Sequence, residues 1–128
     1  MVFGLAASLT ARADHPAYLH ALSDLRLARA YVYSGDNVPQ YVIAEIDRAI
    51  NEIKLASIDD GKSLDDHPPI DATLDFHGRF HRALDLLDHA HHDVNQDEDN
   101  IFARGLKHRA LEHIDRAHHA LRDIVARW

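Results

Sequence analysis

Histidine is the residue type with chemical potential in this chain: there are 12 among 128 residues. Several stand one helical turn from another metal-ligating side chain. His77 and His81 are spaced i, i+4, which puts two imidazoles on one face of a helix and within reach of one metal ion. Asp85 follows a turn later and can ligate, or accept the hydrogen bond that orients His81. His20–Asp24, Asp85–His89, His89–Asp93 and His108–Glu112 repeat the spacing. Imidazole with carboxylate and no thiolate suits Cu(II), Zn(II) or Ni(II), and an unselective site of that kind binds copper tightest. The chain has no cysteine, which excludes disulfides, iron–sulfur clusters and cysteine nucleophiles.

Other constellations fail on inspection. Gly61-Lys62-Ser63 has the end of a phosphate-binding loop, but Ala56 stands where the first glycine belongs, and Asp59-Asp60 would repel phosphate. Asp93, Asn95, Asp97 and Asp99 alternate like the start of a calcium loop. Glu98 occupies the position of the required glycine, and Arg104 that of the bidentate glutamate. None of the four glutamates precedes a histidine by three residues, so the diiron bundle pattern is absent. No catalytic constellation emerges, and the expectation is a protein that is not an enzyme.

The elements that must position the histidines are helices. Gly and Pro number only 5 and 4, and they punctuate apolar stripes of helical period. Leu22, Leu25, Ala28 and Val32 mark a helix over residues 16–34, with Pro16 at its start and Gly35 at its stop. Ile43, Ile46, Ile50 and Ile53 mark a second over 38–58, closed by Asp59-Asp60-Gly61-Lys62. Asp66-His67-Pro68-Pro69 belongs to a linker. Phe80, Leu84, Leu87, His91 and Val94 mark a third over 72–94, and Leu111, Ile114, His118, Leu121 and Val125 a fourth over 101–127. An internal repeat relates the last two: His81-Arg82-Ala83-Leu84 to Ala90-His91-His92 matches His108-Arg109-Ala110-Leu111 to Ala117-His118-His119. Ala28, Ala49, Ala90 and Ala117 share one frame position, where a small side chain lets helix backbones approach. Residues 14–128 are therefore expected to form a single all-α domain, an antiparallel up-down-up-down four-helix bundle.

That topology sorts the histidines. In an up-down-up-down chain, the start of the first helix, the end of the second, the start of the third and the end of the fourth share a pole. His20, His77, His81 and His118 are expected together there, with His15 and His67 close by, as a metal site. His89, His91, His92 and His108 are expected at the opposite pole. His89, His92, His108, His113 and His119 are read as solvated surface residues.

Residues 1–13 read differently from the rest. An apolar stretch from Val2 to Leu9 is followed by Ala11-Arg12-Ala13, an A-x-A cleavage pattern, and the composition then switches at Asp14-His15-Pro16. This segment is expected to be the rear part of a signal peptide, with the mature chain exported to the periplasm or secreted.

His113-Ile114-Asp115-Arg116-Ala117-His118-His119 and Leu87-Asp88-His89-Ala90-His91-His92 resemble the repeats of exported histidine-rich four-helix bundles known as small metal-binding proteins. The resemblance covers the two C-terminal helices and lies in composition and architecture. It implies binding of copper or other divalent ions. The many large apolar residues, His15-Pro16, the Asp59-Asp60-Gly61-Lys62 turn and Asp66-His67-Pro68 have no counterpart in that group.

Charge sets the remaining limits. The formal net charge of −7 argues against a nucleic-acid partner. No apolar run approaches the roughly 20 residues of a membrane span. Protonating all twelve imidazoles would carry the charge from −7 to +5. The expected function is non-enzymatic binding of a divalent transition metal (copper, zinc or nickel) for buffering or delivery. Two alternatives stand beside it. One is a haem-binding bundle with two axial histidines, since Met1 is the only methionine. The other is a structural or interaction protein whose histidines sense acid.

Overall fold

The computed structural model describes residues 16–34, 37–56, 61–64, 66–96 and 101–128. The cleavage pattern at residues 11–13, His15, residues 57–58 of the expected second helix, and the acidic turn from Asp97 to Asp99 lie outside the described residues. Four helices account for most of what is described: α1 Pro16–Tyr33, α2 Gln40–Ala56, α3 Phe76–Val94 and α4 Ile101–Ala126. No strand occurs among the described residues. No helix among them is long and apolar enough to cross a membrane.

The stripes bury as their period requires. Leu22, Leu25, Ile46, Ile50, Leu87, Ile114 and Leu121 are buried in one core, while Leu84 and Leu111 pack on its edge. Each fully buried Leu or Ile contributes about 1.5–3 kcal/mol. The repeated alanines, Ala28, Ala49, Ala90 and Ala117, are all completely buried. The third helix begins later than its apolar pattern suggests. Asp71 takes both the amide and the hydroxyl of Thr73 into an Asx turn, and Asp75 then caps α3 by accepting the Gly78 amide at 2.7 Å.

An all-α bundle with antiparallel neighbours is observed, but the chain visits its corners in an unexpected order. α1 packs on α2 and α3, and α4 packs on α2 and α3; α1/α4 and α2/α3 are the diagonals. The up-down alternation therefore holds around the ring rather than along the chain. Side-chain pairs fix the directions. Arg79 at the start of α3 donates to the Ser34 carbonyl at the end of α1, so these helices are antiparallel. Arg109 on α4 meets Glu52 on α2, and His113 meets Glu45, so that pair is antiparallel too. α3 consequently runs in the same sense as α2, and the chain between them must travel the length of the bundle.

That crossover runs along α1. It leaves α2 through Gly61, whose φ of 72° is a left-handed conformation suited to glycine. Arg26, 1% exposed, then donates to the carbonyls of Lys62 and Ser63, and Lys54 also reaches the Lys62 carbonyl. Further along, the Tyr31 hydroxyl accepts the Asp71 amide at 2.9 Å. Leu64, Ile70 and Leu74 pack against the core. α1 is thus covered by two helices and a strap, and Tyr18, Ala21, Leu22, Leu25, Arg26, Ala28, Ala30, Tyr31 and Val32 are all buried. A helix covered on several sides is apolar nearly all round.

The role given to Arg26 predicts the effect of its removal. Arg26→Ala deletes charge-assisted hydrogen bonds to two backbone carbonyls, and should lower the unfolding free energy by about 3 kcal/mol in urea. Hydrogen exchange at the amides of residues 61–71 should accelerate more than exchange within α4. Equal acceleration everywhere would mean that the arginine serves the core in general rather than the crossover.

Candidate histidine and carboxylate site

The direction of α3 decides which histidines meet. The α1/α3 register that joins Ser34 to Arg79 carries on to the other end of both helices, where His20, Ser23 and Asp24 face His89, His92 and Asp93. These six residues line an open pocket of about 350 Å³. Two pairs with i, i+4 spacing, His20–Asp24 and His89–Asp93, lie across from one another in antiparallel order. Each aspartate is therefore set toward the other helix's histidine. The site owes this to two ordinary helical turns and to the crossover that reverses one of them.

Its electrostatics are those of a site short of positive charge. The Asp24 carboxyl is raised above the ordinary aspartate range, first by burial and then by the negative charge of Asp93; His89, His20 and Arg82 pull it partly back. Among the described residues, the side chains of His20, Asp24, His89 and Asp93 make no hydrogen bond or ion pair. Nor do any three His, Asp or Glu side chains among the described residues stand close enough together to hold a metal ion. His20 and His89 are exposed, so rotation about their side-chain torsions, not movement of backbone, would bring their nitrogens toward the two carboxylates. The donor set fits a divalent cation in composition and charge: two carboxylates balance it, and imidazoles complete the sphere.

The histidines expected at one pole are distributed otherwise. His20 is at the α1/α3 pocket. His77 and His81 lie at the far end of α3, since the twelve-residue step from His77 to His89 spans about 18 Å. Their rings are 6.1 Å apart, and His77 packs on the Trp128 indole at 4.2 Å. Phe76 and Phe80 complete that aromatic group. His118 is further down the bundle, with Nε2 3.0 Å from Asp88. It therefore lies about two turns from its expected place beside residues 78–81. His67 is exposed on the crossover, with Nδ1 2.7 Å from the Pro68 carbonyl. His15 lies outside the described residues. The single-pole grouping of His20 with His77, His81 and His118 is thus not what the bundle brings together, because it presumed a third helix antiparallel to the second.

Three imidazoles instead tie α4 to its neighbours. His91 Nε2 stands 3.2 Å from Asp115, and His118 Nε2 3.0 Å from Asp88, on the α3/α4 seam. On the α2/α4 seam, His113 Nδ1 stands 2.6 Å from Glu45, whose side chain is only 5% exposed. His91 and His118, placed by periodicity on the apolar stripes, are half-buried at the edge of the core. His113, read as a surface residue, is mostly covered. Glu45 had no counterpart in the pattern reading: a carboxylate on the buried face of α2 becomes intelligible only with His113 and Arg48 beside it.

Compared with protein-family models, with curated proteins and with solved structures, the chain finds no match.

The raised Asp24 carboxyl has a consequence for stability whose sign is fixed. The folded state holds this proton more tightly than the unfolded state does, so ionising Asp24 costs stability. The cost is absent below the unfolded-state value, where both states are protonated, and is present in full at neutral pH. Asp24→Asn should therefore raise Tm at pH 7 by about 2 °C, a small effect because the group is partly solvated. The gain should vanish near pH 3. A Tm that is unchanged or lower at pH 7 would show that Asp93 and burial do not oppose this charge.

Proposed function

We propose that the protein binds a divalent transition metal in the α1/α3 pocket, as a non-enzymatic buffer or carrier. His20, Asp24, His89 and Asp93 are the ligand set, with His92 at its rim. One observation carries this reading: two His–Asp turns face each other in antiparallel order around a pocket, uncommitted to hydrogen bonds, with the Asp24 carboxyl raised by burial and then by Asp93. Such a carboxylate is a cost to the fold that a bound cation would cancel. Nitrogen and oxygen donors without thiolate favour Cu(II), with Zn(II) and Ni(II) behind it.

The ligands impose a pH dependence. Metal competes with protons for imidazole nitrogen, so affinity should fall as the pH is lowered. Metal that binds only the folded state also stabilises it, by about 2.7 kcal/mol at a hundredfold excess over Kd. Calorimetric titration of His20→Ala/His89→Ala with Cu(II) tests the site, beside the parent and His77→Ala/His81→Ala. The first double variant should lose at least about a hundredfold in affinity, while the second should bind as the parent does. Equal binding by the parent and His20→Ala/His89→Ala would refute the pocket. Loss only in His77→Ala/His81→Ala would move the site to the opposite end of α3.

Export belongs to the same reading, with the A-x-A pattern at Ala11-Arg12-Ala13 as its support. N-terminal sequencing of the protein from its native host should find Asp14 as the first residue of a periplasmic or secreted form. A chain that keeps Met1–Ala13 in the cytosolic fraction would overturn it.

A further inference from the structure

The internal repeat builds a second His and Asp arrangement, on the other side of α3. Its core is the same short pattern on two helices: Asp88-His89-Ala90-His91 on α3 and Asp115-Arg116-Ala117-His118 on α4. In each, aspartate and the last histidine are spaced i, i+3 and so share a face, one turn apart. The alanine between them is fully buried, at 0% in both helices. Small residues at these positions let the two helices approach closely. Because the helices are antiparallel, the patterns meet in opposite order, and each aspartate reaches the other helix's histidine. The two contacts, 3.0 Å for Asp88–His118 and 3.2 Å for Asp115–His91, are related by a local twofold axis. They line a groove of about 310 Å³ whose floor is Leu87 and Ile114 and whose edge holds His92.

We propose that this groove is a second divalent-cation site, in which Asp88, His91, Asp115 and His118 exchange their two cross-helix contacts for one shared ion. The inference rests on the reading of the protein as a metal binder. Charge and donor type match: two carboxylates neutralise a divalent cation, and two imidazole nitrogens give it the N₂O₂ set that copper and zinc accept. The four side chains spring from one turn of each of two facing helices and line the same groove. Each Nε2 stands beside a carboxylate of the facing helix. To ligate through Nε2, each ring turns that nitrogen from the carboxylate to the ion, with the ring proton on Nδ1. Both histidine–aspartate contacts are given up in the process. The second site is therefore the weaker one, by about tenfold against the uncommitted α1/α3 pocket. α3 carries the two sites on opposite flanks: His89 and Asp93 turn toward α1, Asp88 and His91 toward α4, and His92 touches both pockets.

The experiment is a Zn(II) titration of the full chain followed through its imidazole ¹⁵N resonances, with ion stoichiometry from equilibrium dialysis. The first equivalent should shift His20 and His89. A further equivalent should shift His91 and His118 together. Asp88→Asn/Asp115→Asn removes both carboxylates at positions that are about two-thirds exposed, at 66% and 65%, and so leaves the fold intact. It should keep the first ion and lose the second. The second site is wrong if His91 and His118 stay unshifted in excess Zn(II), or if the Asn variant still holds both ions. Shifts at His91 and His118 without any at His20 and His89 would uphold this site and refute the α1/α3 one. Silence at all four would refute both.

Discussion

A buried guanidinium governs the layout of this bundle. Arg26 lies within α1 at a position that a helix ordinarily fills with an apolar side chain, and it is nearly inaccessible to solvent. A charge there is tolerable only when its donors are occupied. The carbonyls of Lys62 and Ser63 occupy them, and in doing so bind the crossover to the flank of α1. Once the chain is committed to that path it reaches the far end of the bundle, where Tyr31 and Arg79 secure it. α3 can then only return alongside α1. The meeting of His20 and Asp24 with His89 and Asp93 follows from that return. Neither the cap of α3 nor the histidine spacing could bring it about alone.

Local order was legible in the residues, whereas the order of the corners was not. Periodicity places all four helices, the turn glycine and nearly the whole core, because each depends on neighbours within a few residues. Leu84 and Leu111 differ only in lying at the edge. The sense of α3 depends on a long connection, and a linker of that length can join α2 to a neighbour in either direction. The pairs His20–Asp24 and His89–Asp93 were visible as separate turns, yet they were assigned to opposite poles by the wrong direction of one helix. A signal did exist. α1 has no clean polar face: Leu19 and Leu27 lie off its stripe, and both pack against the core. A helix of that kind must be covered on more sides than two neighbours can cover. Arg26, set among those apolar residues, marks what covers it.

The two flanks of α3 differ in how fully their polar groups are satisfied. Toward α4, aspartate and histidine answer one another and hold the seam. Toward α1, the same residue types stand opposed but unjoined, and Asp24 carries the electrostatic cost of Asp93. Sequence repetition accounts for the first arrangement, since α3 and α4 present the same short pattern to each other. α1 lies outside that repeat: Arg26 and Arg29 stand in it where α3 has Asp88 and His91, and Arg29 pairs with Asp47 of α2 at 2.7 Å. The hairpin of α1 and α2 thus uses arginine where the second hairpin uses histidine. Its seam rests on a planar guanidinium, while the α3/α4 seam rests on imidazole rings.

The larger helix contacts join the two hairpins to each other, α1 with α3 and α2 with α4, rather than the helices within each hairpin. Neither hairpin therefore has a complete core of its own, and the crossover alone determines which second hairpin the first one receives. Along α1 that strand of chain must cover about 27 Å, with a further detour to reach the diagonal corner. Residues 57–75 supply ample contour at about 3.3 Å each; a third as many would not. In a chain with a shortened crossover, the second hairpin would fit only onto the first hairpin of another molecule. The same surfaces would then assemble as a reciprocal exchange between two chains, a domain-swapped dimer.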